Sequence, residues 1–72
     1  MLKRSFSIEG HRTSVALEPE FWKVLEEMAA ASGQSLSGLV AGIDSSRSVD
    51  NLASACRLSV LSWLQQRRGS TG

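Results

Sequence analysis

Residues 4–17, RSFSIEGHRTSVAL, carry apolar side chains at alternate positions, but the parity changes partway. Phe6 and Ile8 are even-numbered, Val15 and Leu17 odd-numbered, and the switch falls around Glu9-Gly10-His11. Side chains along a strand alternate between two faces, so a single buried face demands one parity throughout. A change of parity requires an inserted residue or a reversal of the chain. A bulge with Gly10 in the left-handed region supplies the first. A tight hairpin at Glu9-Gly10 supplies the second by folding residues 3–8 back on 11–17, although Glu-Gly is a weaker hairpin signal than Asn-Gly or Asp-Gly. The better strand is HRTSVAL, residues 11–17, with Thr13, Val15 and Leu17 on one face and Arg12, Ser14 and Ala16 on the other. Residues 1–10 then form an N-terminal arm or a short extra strand. One strand alone leaves backbone groups without partners. Either the arm pairs with it, or a copy of the same strand from another chain does.

The length sharpens that choice. A chain of 72 residues buries only about 60% of the surface that its unfolded form exposes. Small domains offset this with disulfides, a metal or oligomerisation. The one cysteine, Cys56, makes no internal disulfide, and one Cys with one His cannot furnish a structural zinc site. An oligomer is the expectation. No run approaches the roughly 18 apolar residues of a membrane span, and no apolar stretch follows the basic residues of MLKRSFSIEG, so neither a membrane partner nor a signal peptide is expected. A cytoplasmic location follows, which suits a free thiol.

Net charge is +1, but its distribution is uneven. Lys3, Arg4 and Arg12 stand against Glu9 in the first 12 residues, whereas Glu18, Glu20, Glu26 and Glu27 stand against Lys23 in 18–27. The strand end is basic and the next segment acidic; an ordinary solvated surface can also show such a split.

Three helices follow. In LEPEFWKVLEEMAAASG, Pro19 suits the first helical position, Glu18 and Glu20 favour the positive end of the dipole, and Gly33 is a C-cap. The spacing predicts a helix over 19–32 with Phe21, Val24, Leu25, Met28 and Ala29 on one stripe and Trp22 beside it. A second helix, 35–44, starts with Ser35 as N-cap and carries Leu36, Leu39, Val40 and Ile43. Gly38 and Gly42 weaken it, and their missing side chains permit a close approach of another helix or a phosphate. SSRSVD reads as a loop. A third helix, 51–67, has Ser48 or Asp50 as cap and Leu52, Cys56, Val60, Trp63 and Leu64 along one side. Arg67 and Arg68 close it, and residues 69–72 form a disordered tail. Cys56 is core filling and the tryptophans are packing anchors. His11 next to Glu9 is better explained by hydrogen bonding than by a metal.

Strand, acidic-proline helix start, then glycine and serine opening a second helix: RTSVALEPEFWKVLEEMAAASGQSLSGLVAGI, residues 12–43, resembles the ribbon-helix-helix family of the Arc and methionine-repressor type. SIEGHRTSV and the added third helix are similar to a subfamily of short stand-alone bacterial proteins. The resemblance implies a mainly α fold with one short β-strand, in which two identical strands pair antiparallel between chains and enter the DNA major groove. Such a homodimer is isologous and obligate, without a folded monomer. Its core would draw on Val15, Leu17, Phe21, Leu25, Leu39 and Ile43.

A two-stranded ribbon can enter the major groove, where each base pair presents its own pattern of donors and acceptors. Arg12 can hold guanine in bidentate fashion, Ser14 can bond several base edges, and Ala16 can touch a thymine methyl. Alanine at one of three reading positions weakens sequence discrimination. The start of the second helix, Ser35, Leu36 and Ser37, maps onto the family's phosphate clamp, and Lys3 and Arg4 would reach neighbouring phosphates as an arm. The expected function is a sequence-specific transcriptional regulator, a repressor of bacterial or phage type, with double-stranded DNA as partner and several dimers stacking on tandem sites. The competing reading is an antitoxin-like or adaptor dimer that binds a protein through the third helix. No cofactor is expected. An enzyme is disfavoured, because the chain shows no nucleophile–base pair and is too short to enclose a pocket.

Overall fold

The computed structural model describes residues 1–48 and 50–71. Its order is strand β1 (Leu2–Ile8), strand β2 (His11–Leu17), helix α1 (Pro19–Ala31), helix α2 (Leu36–Ser46) and helix α3 (Leu52–Thr71). The N-terminal arm is therefore a full strand, and the parity switch is a chain reversal. β1 and β2 pair antiparallel from Leu2 opposite Leu17 to Ile8 opposite His11. Partners in that register sum to an odd number, so even residues of β1 share a face with odd residues of β2. Phe6, Ile8, Val15 and Leu17 consequently lie together and are all buried.

The turn works because both of its residues are left-handed, Glu9 at φ 52° and Gly10 at φ 80°. That is the type I′ geometry, whose twist matches the flanking strands. Gly10 adopts it freely. Glu9 is the only described non-glycine residue with positive φ, and a local backbone cost of roughly 1–2 kcal/mol attaches to such a position. Dipeptide preference pointed away from a hairpin here; the apolar residues on both sides outweigh it, because only this register buries four of them at once. Of the two partners left open for β2, the arm is the one the structure shows: β1 pairs with it within the chain, so the chain has two strands where one short strand was expected.

An isolated hairpin is marginal in water, and the helices cover its inner face. α1 buries Trp22, Leu25, Met28 and Ala29, with Phe21 and Val24 only partly covered. Trp22, expected at the margin of the stripe, is among the most buried side chains at 1% exposure. Its indole Nε1 donates to the Leu2 carbonyl at 2.7 Å and its ring meets that of Phe6 at 5.9 Å, so one side chain fastens α1 to β1. α2 contributes Val40 and Ile43, and α3 contributes Ala55, Cys56 and Val60. Leu64, expected on the apolar side of α3, is 37% exposed. Burial raises the Cys56 thiol pKa, which fits a packing role rather than a reactive one.

Helix ends follow local chemistry. Pro19 opens α1. Gly33, at φ 69°, closes it in a Schellman arrangement, with Gly33 N–H on the Ala30 carbonyl and Gln34 N–H on that of Ala29. α3 is capped by Asn51, whose Oδ1 accepts from Ser54 N–H at 3.2 Å, rather than by Ser48 or Asp50. Asn51 lies directly before the first helical residue, where a short carboxamide reaches the N3 amide. Arg47 instead takes the region before it, pairing with Asp44 at 3.0 Å and donating to the Asp50 carbonyl. The expected tail is helical as far as Thr71, since lengthening a helix adds a hydrogen bond without a new nucleation step; Gly72 lies outside the described residues. Gly38 abuts only Ser35 and Gln34, and nothing lies within 4 Å of a side chain built at Gly42, so neither glycine serves a close helix–helix approach.

The single chain exposes 4778 Å², close to the roughly 4,400 Å² of a folded monomer of 7.8 kDa. Of the expected dimer core, Val15, Leu17, Leu25 and Ile43 are buried inside one chain, and Phe21 and Leu39 are half-buried. These residues meet within the chain because β1 pairs with one edge of β2 and the helices cover the face the two strands share.

Glu18 and Arg57 join the start of α1 to α3, with Nη2 to Oε1 at 3.1 Å and Nε to the same oxygen at 3.3 Å. A bond from its own backbone N–H and then the Arg57 side chain hold the Glu18 pKa below its usual 4.5. A depressed carboxylate stabilises the fold above its unfolded pKa, and that contribution is lost as pH falls through the lower folded value. Arg57→Met should therefore raise the Glu18 pKa only part of the way to 4.5, read by carboxyl carbon NMR; a full return would mean the backbone bond contributes nothing. Glu9→Asn should stabilise the fold by up to about 1 kcal/mol in urea unfolding, because asparagine tolerates the left-handed region.

Candidate nucleic-acid interface

The register that buries Phe6, Ile8, Val15 and Leu17 sends the other residues outward. Lys3, Ser5 and Ser7 of β1 lie opposite Ala16, Ser14 and Arg12 of β2, and all but the half-buried Ala16 are exposed. No carboxylate stands among these six. Ser5 and Ser14 share a hydrogen bond between their hydroxyls at 3.1 Å, which leaves each oxygen further capacity to donate or accept. The face is flat, small in side chain and positive.

The cations divide by position. Arg4 projects from the inner face, 5.1 Å from the Trp22 ring centroid and 3.8 Å from Glu26. Arg57 pairs with Glu18 and lies over Phe21, Arg47 pairs with Asp44, and Arg67 lies over Trp63. Among the described side chains, Lys3, Arg12 and Lys23 alone make no such contact. Two of these three occupy the outer face of the hairpin. Arg4 and Lys3, grouped as one arm in the sequence, thus lie on opposite faces, as neighbours on a strand must.

The open edge of β2 belongs to the same residues. A two-residue turn makes Ile8 and His11 a hydrogen-bonded pair, and such pairs alternate along the ladder. His11, Thr13, Val15 and Leu17 therefore aim their backbone groups at β1. Arg12, Ser14 and Ala16 aim theirs at the outer edge, which no strand covers among the described residues. No proline or inward-pointing charge guards this edge, the usual defences against pairing.

The second expected contact, at the start of α2, has a more modest geometry. Ser35 is the N-cap, its Oγ accepting from Gly38 N–H at 3.0 Å. Leu36 is half-buried against the core, and Ser37 is exposed. Ser35 and Ser37 are both exposed, and the cap bond, in which Ser35 Oγ accepts, leaves its O–H free to donate. Ser5 and Ser7 join this face because the segment expected as an arm or a short extra strand is a full strand, and their alternation with Phe6 and Ile8 is the sequence signal for it. No group of three His, Cys, Asp or Glu residues able to hold a metal occurs among the described residues, and none of their helices is long and apolar enough to cross a membrane.

A family model for the ribbon-helix-helix domain matches residues 1–64. The chain belongs to this family, whose members are generally DNA-binding transcription regulators. The match takes in β1 and most of α3 as well as the strand and two helices that first suggested it. No curated protein and no solved structure matches the chain.

Replacing the cap, Ser35→Ala, should cost about 0.5–2 kcal/mol of stability, measured by urea unfolding. A loss near zero would mean that the Ser35 hydroxyl is not engaged as a cap in solution.

Proposed function

We propose that this protein is a sequence-specific DNA-binding repressor that acts as a homodimer, with β2 strands from two chains paired along their open edges and lying in the major groove. The observation that carries this reading is the outer face of β2. It combines a cation without an intramolecular partner, a hydroxyl and a methyl with an unguarded strand edge formed by the same three residues. In this arrangement Arg12 holds the O6 and N7 of a guanine, Ser14 bonds a neighbouring base edge, and Ala16 touches a thymine methyl. Ser35, Leu36 and Ser37 present the first amides of α2 to a phosphate, where the helix dipole favours negative charge. The hydroxyls of Ser35, which only accepts in the cap bond, and Ser37 add side-chain donors there.

A two-fold axis through the paired strands requires a near-palindromic site, since each chain reads one half. Alanine at one reading position holds discrimination per dimer low, so several dimers on tandem sites would supply the remainder by cooperativity. The acidic exposed side of α1, with Glu20, Glu26 and Glu27, would discourage that helix from approaching phosphates and so helps fix the orientation of the protein on the duplex.

A second reading has an observation of its own. Leu58, Leu61 and Leu64 on α3 are 53%, 51% and 37% exposed, an apolar stripe at spacings of three that suits a protein partner in an antitoxin-like or adaptor role.

Fluorescence anisotropy with the DNA upstream of the protein's own gene, beside an unrelated duplex, separates these readings. Tight binding to the upstream fragment alone, lost in an Arg12→Ala, Ser14→Ala double variant, is the expected result. Equal weak binding to both duplexes, unchanged in the variant, would remove the base-reading role and favour the protein-partner reading.

A further inference from the structure

β1 is held too firmly, and in too particular a place, to be a loose arm. The two-residue turn ties it to β2, Phe6 and Ile8 anchor it in the core, and Trp22 binds its first carbonyl. Its outer face is Lys3, Ser5 and Ser7, one unpaired ammonium and two hydroxyls. With β2 strands paired at their open edges, the sheet becomes four-stranded, with a β1 strand on each outside.

Width then decides what β1 can touch. Neighbouring strands are about 4.8 Å apart, so the two β2 strands fit side by side in a major groove about 12 Å wide. The two β1 strands stand about 14 Å apart across the same sheet, three spacings of that size. They cannot descend to the base edges together and come instead over the two sugar–phosphate ridges bordering the groove. The residues that arrive there have the right chemistry: a cation and small hydroxyl donors, with no carboxylate on that face to repel a phosphate.

We infer that β1 is a phosphate-binding rail, in which Lys3, Ser5 and Ser7 grip the DNA backbone on either side of the groove while β2 alone reads sequence. This rests on the proposed DNA-binding dimer. It assigns a binding role to Ser5 and Ser7, and it makes Lys3 a pre-positioned contact. The rail sets affinity and salt dependence without altering the preference among sequences, because phosphates are the same at every base pair. A dimer carries two copies of each contact.

Two variants on the exposed face, where the fold does not depend on the side chain, test it. Lys3→Ala should flatten the log–log dependence of DNA affinity on salt by about 1.8, two phosphates at about 0.9 each. Ser7→Lys should steepen it by a similar amount. In both, the ratio of affinities for the preferred duplex and a scrambled one should stay within about twofold. Circular dichroism of each variant checks that the fold is kept. The Arg12→Ala, Ser14→Ala variant runs alongside and should lose that ratio. If it does so while Lys3→Ala and Ser7→Lys leave the salt slope unchanged, the rail is overturned and the DNA-reading dimer stands. If either β1 variant changes the ratio, β1 lies in the groove and the rail is likewise overturned. If no duplex is bound by the parent protein, both readings fall together.

Discussion

The register of the hairpin governs the rest of the molecule. A two-residue turn at Glu9-Gly10 makes paired residues sum to an odd number, and one arithmetic fact thereby sorts fourteen positions into an inside and an outside. The inside contributes Phe6, Ile8, Val15 and Leu17 to the core. Among the described residues, the outside is the surface where contact-free cations, hydroxyls and an uncovered strand edge coincide. A register one residue away would put Phe6 and Ile8 on one face with Arg12, Ser14 and Ala16, and Val15 and Leu17 on the other with Lys3, Ser5 and Ser7, so that neither face could bury all four apolar residues.

That constraint is upheld by the helices, because two strands alone do not hold together in water. Trp22 is the clearest link: it fills the space beside Phe6, satisfies its own indole N–H on the Leu2 carbonyl, and supports Arg4 against its ring. The Glu18–Arg57 pair draws α3 onto the start of α1. No buried side-chain nitrogen or oxygen lacks a partner among the described residues. A chain of this size has little stability to lose, and this one places its polar groups at the surface or in contact with another group.

Charge pairing and recognition are two outcomes of the same geometry. An arginine on the inner face or on a helix flank meets an aromatic ring or a carboxylate of its own chain, as Arg4, Arg47 and Arg57 do. A cation on the outer face meets nothing, because the helices are all on the other side. The division between structural and available cations therefore follows strand parity, not residue type: Lys3 and Arg4 are adjacent, both basic, and opposite in role. The chain belongs to a family of DNA-binding regulators, and the outer face is where its contact-free strand cations, Lys3 and Arg12, lie.

How much of this was legible in the sequence depends on the range of the interactions involved. Pro19, Gly33 and Ser35 marked helix ends correctly, since capping is settled by residues within one turn, and strand β2 was read from alternation alone. The parity switch stated that the chain either reversed or bulged, and local preference could not choose, because Glu-Gly is a poor turn by composition. Tertiary structure chose, through the burial of Phe6 and Ile8 in the core, where Phe6 meets Trp22 sixteen residues away. The same distance concealed that Arg4 is engaged with Glu26 and that Leu64 faces solvent. Spacing determines which side chains share a face; only the packed molecule decides what that face meets, since burial energy depends on neighbours that the sequence does not place next to one another.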